Sequence, residues 1–146
     1  ASIHLEEMVT LNPEWKDEAL ALKWENIRGL RAEVTKALEE ARTAKLIGHP
    51  LDAALEIKVA DSELKEQLEN LTENLNDIFI VSAATLVDNV ADDAYQGKEI
   101  EGLAIRVTRA TGEKCERCWR FDMGIGQDTD HPTACPRCTD ALKAIL

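Results

Sequence analysis

Cys115-Glu116-Arg117-Cys118-Trp119, answered by Cys135-Pro136-Arg137-Cys138, decides how this chain is read. These four are its only cysteines, and they form two Cys-x-x-Cys pairs with sixteen residues between them. A Cys-x-x-Cys turn sets two thiolates about one tetrahedral edge apart, and two facing turns complete a set of four soft ligands. The spacing is that of a zinc ribbon. Two disulfides are a competing use of the same residues. They suit a secreted protein, whereas residues 1–30 show no basic-then-apolar signal segment. A redox motif is another, but it follows a strand, opens a helix and occurs once. One structural zinc held by Cys115, Cys118, Cys135 and Cys138 is therefore expected, in a cytoplasmic setting. His131 offers a replacement ligand just before Cys135, yet Pro132 beside it marks an ordinary turn and four cysteines already satisfy the ion. Four protein thiolates leave no open coordination position, so such a metal organises the fold and activates no water.

Outward from the cysteines, charge is unevenly spread. The chain carries a net charge of −11, which argues against a free-standing nucleic-acid binder. Yet residues 105–121 hold Arg106, Arg109, Lys114, Arg117 and Arg120 against only Glu113 and Glu116. The basic patch coincides with the first cysteine pair. Within it Trp119 stands between Arg117 and Arg120, with Phe121 next. An aromatic ring flanked by guanidinium groups can stack an unpaired base while phosphate is contacted. Trp119 can equally serve as packing over a ribbon that has almost no core of its own. Arg42 and Lys45 are further phosphate candidates, or simply a solvated helix face. No Gly-rich phosphate loop is present, and His4, His49 and His131 stand far apart, so no catalytic group is assigned.

At 146 residues, the chain is long enough for one core and a small appendage. Its longest apolar stretch, residues 78–87, is broken by Ser82 and Thr85 and is too short to cross a bilayer. Asn12-Pro13 signals a helix start. Leu20, Trp24, Ile27, Val34, Leu38 and Ala41 then recur at three-four spacing, with Glu33–Lys36 and Glu39–Arg42 pairs on the flanks. Gly48 and Pro50 are the stop signals, which predicts one helix of about nine or ten turns. Gly29 inside it marks either a close approach or a tolerated glycine. Leu55, Ile57 and Val59 alternate with Glu56 and Lys58 as a half-exposed strand. Asp61 or Ser62 caps a second helix carrying Leu64, Leu68, Leu71 and Leu75. Residues 78–81 form a buried strand, 88–102 an acidic loop, and Leu103, Ile105 and Val107 a third strand leading into the cysteines. After Cys138, residues 141–146 read as a short amphipathic tail of one or two helical turns. The expected class is α+β: a long N-terminal helix, a small mixed α/β body of about three strands, and a C-terminal zinc ribbon built on the four cysteines.

Gly112-Glu113-Lys114-Cys115-Glu116-Arg117-Cys118-Trp119, with Cys135-Pro136-Arg137-Cys138, closely resembles the C-terminal zinc finger of bacterial isoleucyl-tRNA synthetases. A related finger occurs in formamidopyrimidine-DNA glycosylases. Upstream, Ser2-Ile3-His4-Leu5 looks like the synthetase family's Ser-Val-His-Leu junction. Residues 24–28 and Leu38-Glu39-Glu40-Ala41-Arg42, with Ile47-Gly48, are similar to its long helix. The resemblance implies a region that follows the class I catalytic and editing domains and the main anticodon-binding bundle, and that helps hold the anticodon side of tRNA-Ile. Its divisions would be a junction and long helix at 1–50, a small α+β body at 51–111 and the zinc finger at 112–146. The family's His-Ile-Gly-His and Lys-Met-Ser-Lys-Ser motifs are absent from this chain, so ATP and isoleucine chemistry would lie in the parent enzyme's catalytic domain. The implied partners are tRNA-Ile and the rest of the synthetase chain, with no membrane and no DNA.

Two other functions compete. A glycosylase needs an N-terminal proline nucleophile and a helix-two-turn-helix ahead of its finger, whereas this chain opens Ala1-Ser2 and continues into a long helix. A zinc-stabilised protein-interaction module would use the acidic surface for a basic partner.

Overall fold

The computed structural model describes residues 2–7 and 9–145. The long helix, α1, spans Glu18–Thr43, 26 residues or about seven turns. It is shorter than the sequence suggests because the expected start, Asn12-Pro13, opens a separate turn. The Asn12 side chain accepts the Glu14 N–H at 3.0 Å and caps only a 3-10 turn over Pro13–Trp15. Lys16 is then extended, and Asp17 caps α1 by accepting the Leu20 N–H at 2.9 Å. Trp15, Leu20 and Trp24 are exposed, so no packing carries the helix back through Lys16. Burial starts at Ile27 and continues through Leu30, Val34, Ala37, Leu38 and Ala41. The far end closes at Thr43, before Gly48. Lys45 takes the left-handed conformation (φ 58°), while the Leu46 N–H reaches back to the Ala41 carbonyl.

After α1 come β1 (Ala53–Lys58), α2 (Ser62–Glu69) and α3 (Leu75–Phe79). The Asp61 carboxylate caps α2 by accepting the Leu64 N–H at 2.7 Å. The single helix expected through Leu75 is instead two. Asn70 donates to the Glu66 carbonyl and Thr72 to the Glu69 carbonyl, satisfying the chain end of α2 by side chains. Residues 78–81 are not a strand. Ile78 and Phe79 finish α3, Ile80 adopts φ 57°, and the Val81 N–H bonds back to the Asn76 carbonyl as a helix C-cap. A four-residue apolar run has no period that separates helix end from buried strand. The strand that follows is β2, Ala83–Leu86.

The acidic loop contains a short strand, β3 (Tyr95–Gln96), and β4 covers Ala104–Arg109. The sheet therefore has four strands in the order β2-β1-β4-β3. β1 and β2 are parallel, while β4 runs antiparallel to both its neighbours, with Leu55 opposite Val107 and Ile57 opposite Ile105. Leu30, Val34 and Leu38 of α1 share one core with Leu55, Ile57, Ile105, Leu68, Leu75 and Phe79. Glu33 is buried with them instead of lying on a flank. Its carboxylate accepts from Lys36 Nζ (2.5 Å), the Lys98 N–H (2.6 Å) and the Tyr95 hydroxyl (3.1 Å), pinning α1 to the loop around β3. Gly29 faces open space, with nothing within 4 Å of where a Cβ would lie, so no helix packs closely against it. Among the described residues no helix is long and apolar enough to cross a membrane.

Candidate metal centre

From β4 the chain passes Ala110 and Gly112 into β5 (Glu113–Lys114), which pairs antiparallel with β6 (Phe121–Asp122). Gly112 has φ +95°, and an added Cβ would lie 2.4 Å from the Asp122 carbonyl carbon. Only glycine fits there. The first knuckle is the turn between these strands. The Cys115 N–H donates to the Arg120 carbonyl (2.8 Å), and the Trp119 N–H donates to the Cys115 carbonyl (2.9 Å). Trp119 closes the turn in the left-handed conformation, φ 67°.

The second knuckle opens α4 (Pro136–Lys143), with Pro136 at the first helical position, where its missing N–H costs nothing. The helix predicted after Cys138 thus begins earlier, inside the cysteine motif. The Glu116 N–H donates to the Thr133 carbonyl at 3.1 Å and draws the knuckles together. Cys115, Ala134, Cys135 and Cys138 form a small buried cluster of their own, with Cys118 and Ile125 against it.

All four Sγ atoms lie within 4.8 Å of one another, and Cys118 and Cys135 Sγ are 3.7 Å apart. Zinc–sulfur bonds of about 2.3 Å at tetrahedral angles give sulfur–sulfur edges of roughly 3.8 Å. A disulfide needs about 2.05 Å; all four residues are free thiols here. Among the described residues no histidine joins the group. The His131 backbone N–H instead donates to Asp128 Oδ1 at 2.9 Å.

The thiols differ in their readiness to ionise. Burial opposes the charge on Cys115, but N–H groups of Cys118, Cys135 and Arg117 outweigh it and bring its pKa to about 6. Burial and the neighbouring thiols push Cys135 up to about 12. Four negative sulfurs in one buried site require a cation. The donor set and spacing fit zinc, which Cys115, Cys118, Cys135 and Cys138 would hold.

The basic residues expected to face phosphate are not equivalent. Lys114 Nζ sits 5.5 Å from the centroid of the Trp119 ring, and Trp119 is 59% exposed. Arg117 is exposed and approaches Cys138 Sγ at 3.6 Å. Arg120 is largely covered and donates to Asp77 Oδ1 at 2.5 Å. Arg106 pairs with Glu56 at 3.1 Å across the sheet, and Arg109 donates to the Leu46 carbonyl at 2.8 Å. Arg137 is exposed, 3.9 Å from Asp77. Arg42 is engaged by Glu39 in its own helix. Sequence reasoning passed over Asp77 and Ser82. Ser82 Oγ accepts the Phe121 N–H at 2.8 Å. These partners lie 43 and 39 residues upstream of those they hold, so no local pattern marks them.

Residues 112–141 match the family described as the zinc finger found in FPG and IleRS. The chain is 46% identical over 143 residues to the isoleucine–tRNA ligase of Geobacter sulfurreducens, covering 98% of this chain and 15% of that one. The chain matches a segment of isoleucyl-tRNA synthetases. The corresponding ligase of Desulfitobacterium hafniense is 44% identical over 145 residues, 97% of this chain. That of Thermosynechococcus vestitus is 41% identical over an aligned length of 146 residues, covering 92% of this chain. The similarity therefore extends well beyond the finger, through the helix and the sheet. The chain spans about 15% of the length of the synthetases it matches.

Proposed function

We propose that this synthetase-type segment is a tRNA-binding appendix acting on the anticodon side of tRNA-Ile, with one structural zinc on Cys115, Cys118, Cys135 and Cys138. The segment supplies no chemistry itself. ATP and isoleucine are handled by the catalytic part of the parent enzyme, in the cytoplasm. The division into a junction with long helix (1–50), a body (51–111) and a finger (112–146) belongs to the same reading.

The observation that carries it is the exposed Trp119 ring beside Lys114, on a knuckle whose two thiols gather with the two of the other knuckle. An exposed indole with a cation over one face leaves its other face for an unpaired base and brings a charge for the phosphate. Arg117 is exposed, and although its Nη1 reaches Cys138 Sγ, its remaining N–H groups can add a second phosphate contact. The zinc would hold the two knuckles closed, and with them the turn that presents Trp119.

The test pairs kinetics with metal content in a full synthetase carrying this segment. Trp119→Ala should lower the specificity constant for tRNA by about one to two decades, the worth of a stacked base. Isoleucyl-adenylate formation, which needs no tRNA, should remain nearly intact. Retained zinc together with an unchanged tRNA step would sink the proposal. Loss of zinc in that variant would instead make Trp119 a packing residue.

A further inference from the structure

We propose that Asp77 is a positioning residue for tRNA recognition, and that Arg120 serves this clamp instead of meeting phosphate. The inference rests on the tRNA-binding reading above. Arg120 follows Trp119 directly, yet its side chain is only 13% exposed and its Nη2 is 2.5 Å from Asp77 Oδ1. Asp77 lies on α3, in the body, whereas Arg120 belongs to the knuckle. The next residue is tied to the body as well: the Phe121 N–H donates to Ser82 Oγ, and that hydroxyl donates to the Leu51 carbonyl at 2.5 Å. Two consecutive residues of the knuckle are thus fastened to the body, immediately after the ring that the knuckle presents.

On its other side Trp119 is held through its N–H to the Cys115 carbonyl, and the Arg120 carbonyl receives the Cys115 N–H. Zinc ligation would set the shape of the turn. The clamp sets its direction relative to α1 and the sheet. The small cysteine core and the main core are separate clusters, so orientation must come from contacts of this kind. Arg137, 3.9 Å from the same carboxylate, adds attraction from the second knuckle.

The two roles of Arg120 give opposite signs for one substitution. If Arg120 met phosphate, Asp77→Asn would free its charge and remove a repelling carboxylate, so tRNA would bind as well or better. If Asp77 acts by positioning, Asp77→Asn and Asp77→Ala raise KM for tRNA in the full synthetase. The expected rise is roughly three- to tenfold, the range for a well-placed charge pair. Zinc content, kcat and adenylate formation should stay unchanged. The amide of Phe121 should exchange with solvent faster in both variants. Exchanging the pair, Asp77→Arg with Arg120→Asp, should recover most of the loss. Unchanged or lowered KM in Asp77→Asn, with KM raised by Arg120→Ala alone, would overturn the proposal. If Trp119→Ala leaves the tRNA step untouched with zinc retained, the tRNA reading itself has failed. In that event Phe121 amide exchange still decides the clamp, and unaltered exchange in Asp77→Ala rejects it.

Discussion

The Lys114 ammonium lies 5.5 Å from the centre of the Trp119 indole, five residues on and on the other limb of the same turn. Lys114 pairs with Phe121 across the two-stranded ribbon, so the ribbon's register sets this contact. An exposed cation–π contact is worth about 0.5–1 kcal/mol. Lys114→Ala should therefore raise KM for tRNA roughly two- to fivefold, an effect that shrinks as salt is added. In a background with Trp15 and Trp24 changed to Phe, the fluorescence of Trp119 should also become easier to quench with acrylamide. An identical quenching constant would show that Lys114 does not restrain the ring.

Cys118→Ser should abolish stoichiometric zinc and unfold residues from about Gly112 onward while leaving the main core folded. The four cysteine residues pack with little else, whereas α1, α2, α3 and the sheet share a core that contains none of them. Chelation should do the same to the unaltered protein. Far-ultraviolet circular dichroism with metal analysis reads both. A single cooperative loss of all secondary structure would contradict two separable units.

Glu33 predicts a pH dependence. Burial alone would raise its pKa, but the bonds from Lys36, Lys98 and Tyr95 prevail and hold it below the ordinary 4.5. A carboxylate depressed in the folded state adds stability above its unfolded pKa and loses that stability as pH falls through the folded value. The melting temperature should drop below about pH 4.5 more steeply in the native protein than in Glu33→Gln. At neutral pH Glu33→Gln should cost roughly 1–3 kcal/mol, because a buried charge-assisted network loses its acceptor. Parallel melting curves across the acid range would remove Glu33 from this role.

Ile80 is a β-branched residue in left-handed backbone at the end of α3, half exposed. Glycine takes that conformation without strain. Ile80→Gly should leave stability unchanged or raise it by up to about 1 kcal/mol, even though an apolar side chain is removed. A loss above about 1 kcal/mol would mean that its buried half matters more than its backbone. Chemical denaturation separates the two.

Residues whose roles are local were legible before any coordinates. The cysteine spacing, the Asp61 cap and the alternation of Leu55, Ile57 and Val59 each depend on neighbours a few positions away. Ile78 to Val81 misled because a short apolar run looks the same at a helix end and in a buried strand. The start of α1 misled because Asn12 does cap, but only a 3-10 turn, and the exposed Trp15, Leu20 and Trp24 give no packing that would carry the helix back to it. At the candidate site the ligands were readable, and so was the ring beside them. Which arginines are free was not. Glu56, Asp77 and the Leu46 carbonyl each occupy one, and all three come from distant parts of the chain.

The strand order β2-β1-β4-β3 has a kinetic consequence. β1 cannot gain its antiparallel neighbour until β4, about fifty residues later, has been made and has inserted beside it. Pairings of such sequence separation incur a large loop-closure entropy before any contact rewards them, which places folding in the slow, millisecond-to-second regime. On a ribosome the sheet would wait for residue 109. The cysteine motif emerges just behind it, so the clamp partners Asp77 and Ser82 reach their final positions only as the knuckle that docks on them is being synthesised.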